Sequence, residues 1–395
     1  MRWLAVLPLL LVAACGLPGS SDSGDQEEED LGEPADTGED AVVALTEPDE
    51  TAPSGALAPA RLDHDATDLI DVRGVGDSGW SNTHEKTPIA AAFGAALDRF
   101  DASGKGYRGD VSFINWETVV GTSCTQFGNA YSPGRSYAFV SRAENLVQAN
   151  EKGFNLIGLS NNHTRDCYAS PDTSLTGENA SPDMTAKAIE GLGDRPWVWA
   201  GISSTRDRED HSRARVHTFR IKGRDVRVAL ASTYMGRPDC PRASCKGDKT
   251  ELLESLRDAD ADLRILAIHS MAAADQDELV KLGIEFVKKY RGDVVYGSGP
   301  HVWKPVRVVR KDGGGTGVVF ESLGNFLHPS LGAQAKNFIG RALFDPTNLK
   351  LRQVQVLPVA NAGRDVKWSN VNGADLQANL RWTPTERGVY ANVKP

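Results

Sequence analysis

Five short apolar runs in this chain each end abruptly in a polar or titratable residue, with helix-like stretches between them. The run beginning at Val72 ends in Asp77, and the run from Val111 to Ile114 ends in Asn115-Trp116-Glu117. Phe154 to Leu159 ends in Ser160-Asn161-Asn162-His163, and Leu263 to Ile268 ends in His269. Asp293 to Tyr296 runs into Gly297-Ser298-Gly299-Pro300-His301. Runs of this length and β-branched content read as strands. The stretches 88–100, 142–151, 182–192, 249–258 and 275–290 read as helices. The last carries an apolar stripe of Leu279, Val280, Leu282, Ile284, Phe286 and Val287. Strand and helix alternate, so the fold class is α/β.

In such sheets ligands sit beyond the carboxyl ends of the strands. Asp77, Glu117, Asn162, His163, His269 and His301 all occupy such ends. A period of two puts Asn115 and Glu117 on one side of their strand. Carboxylate, amide and imidazole together suit Zn, Mn or Fe better than Ca or Mg alone. Each residue also has a plainer reading. A histidine after a strand is commonly a satisfied turn residue, Asp77 caps a turn, and Asn161-Asn162 are ordinary turn formers. The weight lies in five such ends arriving in alternating order.

The N-terminus sets the compartment. Met1-Arg2-Trp3 precedes an apolar run from Leu4 to Ala14 and then Cys15. That run is too short to span a bilayer, which takes about 20 apolar residues, and reads as a secretory signal. Val12-Ala13-Ala14-Cys15 resembles the lipobox of bacterial lipoproteins, which implies a lipid on Cys15 and attachment to the cell or outer membrane. An ordinary signal peptide is the alternative. Residues 16–60 hold 13 acidic residues and no Lys or Arg, the composition of a solvated tether. Without the first 60 residues, 40 acids face 43 bases, so bulk charge gives no indication of a nucleic-acid partner. About 330 residues remain for one large domain, 61–395, with a looser C-terminal end. Four further cysteines in an exported chain favour disulfides: Cys240 with Cys245 across a small loop, then Cys124 with Cys167. A four-cysteine zinc site is the competing reading.

From about Asp71 to Pro358 the sequence resembles the poly-γ-glutamate capsule biosynthesis (CapA-type) family. The resemblance rests on Gly76-Asp77, Asp110 with Asn115-Trp116-Glu117, and Asn161-Asn162-His163 with Asp166. It continues through His269, Pro300-His301-Val302 and Ser322-Leu323-Gly324-Asn325-Phe326. It implies a calcineurin-like metallophosphatase sandwich, two mixed sheets flanked by helices. It also implies Asp77, Glu117, Asn162, His269 and His301 as metal ligands, and His163, with Asp166 nearby, as the group that meets the reacting oxygen. Two departures stand against full activity: Ser270 where the family has Trp, and Gly299 where it has a ligand histidine. The expectation is therefore one weakly held Mn, Zn or Fe, or none. The implied role is synthesis, export or retention of an anionic cell-envelope polymer by metal-assisted hydrolysis or transfer, with capsule machinery as partner. A non-catalytic, polymer-binding lipoprotein and a secreted phosphoesterase unrelated to capsule are the alternatives.

Overall fold

The computed structural model describes residues 57–121, 124–127, 137–168, 181–204, 211–329, 333–376 and 379–394. The expected signal peptide, Cys15 and the acidic tether lie outside the described residues. The chain first lays down β1 (Ile70–Ser78), β2 (Val111–Trp116), β3 (Leu156–Gly158) and β4 (Val198–Ala200), neighbours in that order and all parallel. Helices α1 (Phe93–Asp101), α2 (Ala143–Glu151) and α3 (Ser181–Glu190) connect them.

A second sheet follows: β5 (Arg215–Ile221), β6 (Arg224–Tyr234), β7 (Leu263–His269), β8 (Val294–Ser298), β9 (Val306–Arg310) and β10 (Thr316–Phe320). Helix α4 (Lys249–Asp258) links β6 to β7, and α5 (Ala273–Lys289) links β7 to β8. The order is β9-β10-β8-β7-β6-β5, parallel in the middle and antiparallel at both edges. The chain then returns to the first sheet with β11 (Ala333–Phe344), β12 (Leu351–Ala362), β13 (Asp365–Trp368), β14 (Thr383–Thr385) and β15 (Gly388–Asn392). That sheet reads β14-β15-β12-β11-β1-β2-β3-β4, with β13 also on β12. The C-terminal stretch, expected to be looser, thus supplies five of its strands. Two mixed sheets flanked by helices form a layered sandwich, the architecture that the resemblance implies.

Alternation along the strands builds the layers. Val72, Phe113 and Leu156 of the first sheet pack against Ile265, Tyr296 and Phe320 of the second, and the rings of Phe113 and Tyr296 stack at 5.0 Å. On the outer face, Val75, Ile114 and Ile157 meet Phe93, Leu97 and Leu146 of α1 and α2. Leu266, Val295 and Val319 meet Leu253, Leu279 and Phe286 of α4 and α5. Helix α1 begins at Phe93, five residues later than the sequence pattern suggests. Its first amides are capped from another helix: Asn145 Oδ1 accepts from Ala92 and Phe93, and Gln148 Oε1 from Gly94.

A buried ionic triad ties the start of β1 to β11. Asp71, Arg73 and Arg341 are all fully buried, and the Asp71 carboxylate accepts from both guanidinium groups. Both expected disulfides form, with Cα separations of 5.3 Å for Cys124–Cys167 and 5.7 Å for Cys240–Cys245. No thiolates remain among these four for zinc.

Candidate metal centre and active site

The carboxyl ends of β1, β2 and β3 belong to one sheet and those of β7 and β8 to the other, so the site forms where two sheets meet. A single parallel sheet, as strand ends alone suggested, is not what gathers them. A bulge in β1 aims the first ligand. Val75 is opposite Ile114 but Asp77 is opposite Asn115, leaving Gly76 extra. Strict alternation would put Asp77 on the helix side with Val75; the bulge brings it to the face shared by Phe113, Asn115 and Glu117. Gly76 is required there, because a Cβ would run into the Gly324 carbonyl, which accepts from Asp77 N at 3.0 Å.

Glu117 lies at the middle of the cluster. His269 Nε2 is 3.4 Å from its Oε1 and His328 Nε2 is 3.0 Å from its Oε2. Asp77 Oδ1 is 3.5 Å from His269 Nδ1, and its Oδ2 is 3.3 Å from His301 Nδ1. Two metal-competent trios result, Asp77–Glu117–His269 and Glu117–His301–His328, each with its ligand atoms within 4.8 Å of one another. Neighbouring groups orient the rings. Ser298 Oγ lies 2.9 Å from His269 Nδ1, and Asn325 Oδ1 lies 2.9 Å from His301 Nδ1. Asn115 donates to Asp77 Oδ1 at 2.8 Å.

His328 was missed by sequence reasoning, and Asn325, seen within the Ser-Leu-Gly-Asn-Phe motif, was given no role there. The segment from Ser322 crosses beside the end of β1, where Phe326 N donates to Asp77 O and Gly79 N to Leu327 O. That crossing seats His328, two residues past the Ser-Leu-Gly-Asn-Phe motif. Gly299, expected to leave a gap in the ligand set, has another role. Its N–H donates to Asp77 Oδ2 at 3.1 Å, at φ 118°. A side chain at Gly299 would collide with the Ser270 carbonyl, so no imidazole could be placed there. Asn162, the remaining expected ligand, follows β3 and faces Met271. Its Nδ2 donates to Met271 Sδ at 2.7 Å, while its Oδ1 is buried without a hydrogen-bond partner.

His163 stands next to the trios. Its Nδ1 lies 2.7 Å from Asp166 Oδ2, which also accepts from Phe139 N at 2.8 Å. The Phe139 ring contacts both His163, at 4.6 Å, and His328, at 5.4 Å.

Charge in the cluster is mutually enforced. Burial would raise the Asp77 carboxyl, but His269 and His301 hold it well below the usual range. Burial opposes a charged His301, yet Asp77 and Glu117 raise it to about 9. Burial also opposes a charged His163, and Asp166 overcomes it to raise that imidazole. Both Glu117 oxygens and His269 Nε2 are buried without a well-formed hydrogen bond. Two buried carboxylates and three imidazoles around such bare atoms fit a divalent transition-metal ion, which satisfies them together.

No family model matches the chain, and no curated protein matches it. Among solved structures, a phosphatase described as novel, from Mycoplasma pneumoniae, is 13% identical with a TM-score of 0.45, over 75% of this chain and 95% of its own. A hypothetical protein from Thermus thermophilus is 14% identical with a TM-score of 0.42, over 74% of this chain and 99% of its own.

Proposed function

We propose that this chain is a divalent-metal-dependent hydrolase of phosphoester bonds that works at the cell envelope on an anionic polymer. The observation that carries the reading is the pair of trios sharing Glu117, with the His163–Asp166 dyad beside them. Asp77, Glu117, His269, His301 and His328 would hold metal. A divalent ion there supplies Lewis acidity, activating water and neutralising charge on the ester under attack. With Nδ1 held by Asp166, Nε2 of His163 is the nitrogen left to give a proton to the leaving oxygen. Against the pull of burial, Asp166 raises that imidazole and so favours its protonated form. Asn115, Ser298 and Asn325 keep the ligand rings and carboxylate in register.

The envelope location rests on the Cys15 motif, and the capsule-type polymer on the family resemblance. The non-catalytic alternative drew its force from Ser270 and Gly299, and His328 supplies an imidazole that Gly299 lacks. Metal analysis after dialysis tests the reading. The wild type should retain Mn, Zn or Fe, Glu117→Gln should retain none, and His328→Ala should keep only what Asp77, Glu117 and His269 hold. A screen of phosphoesters and γ-glutamyl polymers follows. A protein that binds no divalent ion, or that cleaves no phosphoester, ends the proposal.

A further inference from the structure

Beside the His163–Asp166 dyad, two buried donor atoms have no hydrogen-bond acceptor among the described residues. Arg165 follows His163 by two residues, and its Nη2 is buried with no hydrogen-bond partner. Tyr168 is 1% exposed, and its hydroxyl is buried in the same condition. Arg237, exposed in the turn after β6, is within electrostatic reach of both. Asp239 offsets part of the repulsion between the two arginines. Burial and the charge of Arg237 push Arg165 down to about 10, so the guanidinium stays charged at neutral pH but is destabilised where it sits.

Both disulfides support this group. Tyr168 adjoins Cys167, and the Cys240–Cys245 loop is held to the Arg237 turn by Lys246 N donating to Arg237 O and Gly247 N to Pro238 O. Tyr234 connects it to the metal centre. Its ring stands 5.8 Å from that of His269, and its hydroxyl feels the charges of both Arg237 and Glu117. Partly buried donors left unpaired next to like charge cost stability until an anion satisfies them. A guanidinium fork matches phosphate or carboxylate oxygens.

We propose that Arg165, Arg237 and Tyr168 form a subsite for a second anionic group of the substrate, a phosphate or carboxylate carried beside the ester being cleaved. The word substrate rests on the hydrolase reading; the anion site does not. It selects polyanions over esters with a single charged group.

Two probes of nearly equal shape test this: 3-phosphoglycerate, with phosphate and carboxylate, and glycerol 3-phosphate, with phosphate alone. Calorimetry on the metal-free protein should give 3-phosphoglycerate the higher affinity by roughly 10- to 100-fold, the range of charge-assisted hydrogen bonds. Arg165→Gln and Arg237→Gln should each shrink that ratio, whereas Arg99→Gln, on the exposed pair with Asp365, should not. With metal restored, the ratio of kcat/KM for the two probes should fall in Arg165→Gln through KM. An affinity ratio near one in the wild type, or one unmoved by Arg165→Gln, overturns the subsite. Binding selectivity without hydrolysis would leave the subsite standing and refute the hydrolase; hydrolysis with selectivity indifferent to Arg165 would do the reverse.

Discussion

Replacing Asp71 by Asn tests what holds β1 in place six residues before its metal ligand. In the native triad the carboxylate accepts from Arg73 Nε at 3.1 and 3.2 Å and Nη2 at 2.8 Å, and from Arg341 Nε at 3.0 and 2.9 Å. Asparagine keeps the shape and removes the charge, leaving two buried guanidinium groups without a counter-ion. Breaking a buried pair costs about 3–5 kcal/mol. The low end applies, because other acceptors stay: the Gly106 carbonyl for Arg73, and Gln355 Oε1 and the Arg61 carbonyl for Arg341. A loss of about 3 kcal/mol in urea unfolding at pH 7 is the expected result. The sign with pH follows from the Asp71 carboxyl, which the two arginines hold far below its ordinary value against the pull of burial. That stabilisation is complete above the unfolded carboxyl pKa of about 3.9 and fades as pH falls toward the folded value, so wild type and variant should converge in acid. Replacing all three residues with apolar ones of similar size should cost less than Asp71→Asn alone. A change below about 1 kcal/mol at pH 7 for Asp71→Asn refutes the idea that the charge matters.

Three other outcomes follow from the site and the termini. Gly299→Ala should destabilise by about 1–3 kcal/mol through its backbone conformation alone, with more from the clash at Ser270, and should weaken metal retention by moving the N–H that Asp77 accepts. Denaturant curves and metal analysis of the same preparation read both effects. Because His301 is raised to about 9 in the metal-free protein, an ion must displace its proton; apparent affinity should rise up to about tenfold per pH unit between 7 and 9, by buffered competition titration. Cys15→Ser should release the protein from membranes or leave its leader uncleaved, and retention in the membrane fraction at high salt would contradict a lipid anchor.

Much of this site was legible because each of its strands is buried on both faces and ends where polarity begins. Asp77, Glu117, His269 and His301 follow apolar runs, and the structure gathers all four. The helix stripes and the Cys240–Cys245 loop were legible from local pattern, and Cys124–Cys167 as the pair that remained. What escaped depends on distant chain segments. His328 follows no strand of its own and is seated by a segment crossing beside β1. The cap of α1 is lent by Asn145. The bulge at Gly76 leaves a period-two pattern unbroken to the eye while turning Asp77 to the other face. Gly299 reads as a missing ligand until its backbone N–H is found on Asp77.

The place of β1 in the first sheet sets the order in which the protein can become competent. Its antiparallel neighbour is β11, and Arg341 reaches Asp71 across 270 residues. Pairing at such separation forms slowly and late. Every ligand of the two trios has been synthesised by His328, yet β1 is still an open edge with Asp71 short of one arginine. A chain ending just before β11 should therefore carry the complete ligand set and capture no ion. Metal uptake would then act as a timer, reporting that the returning strands have closed the sheet.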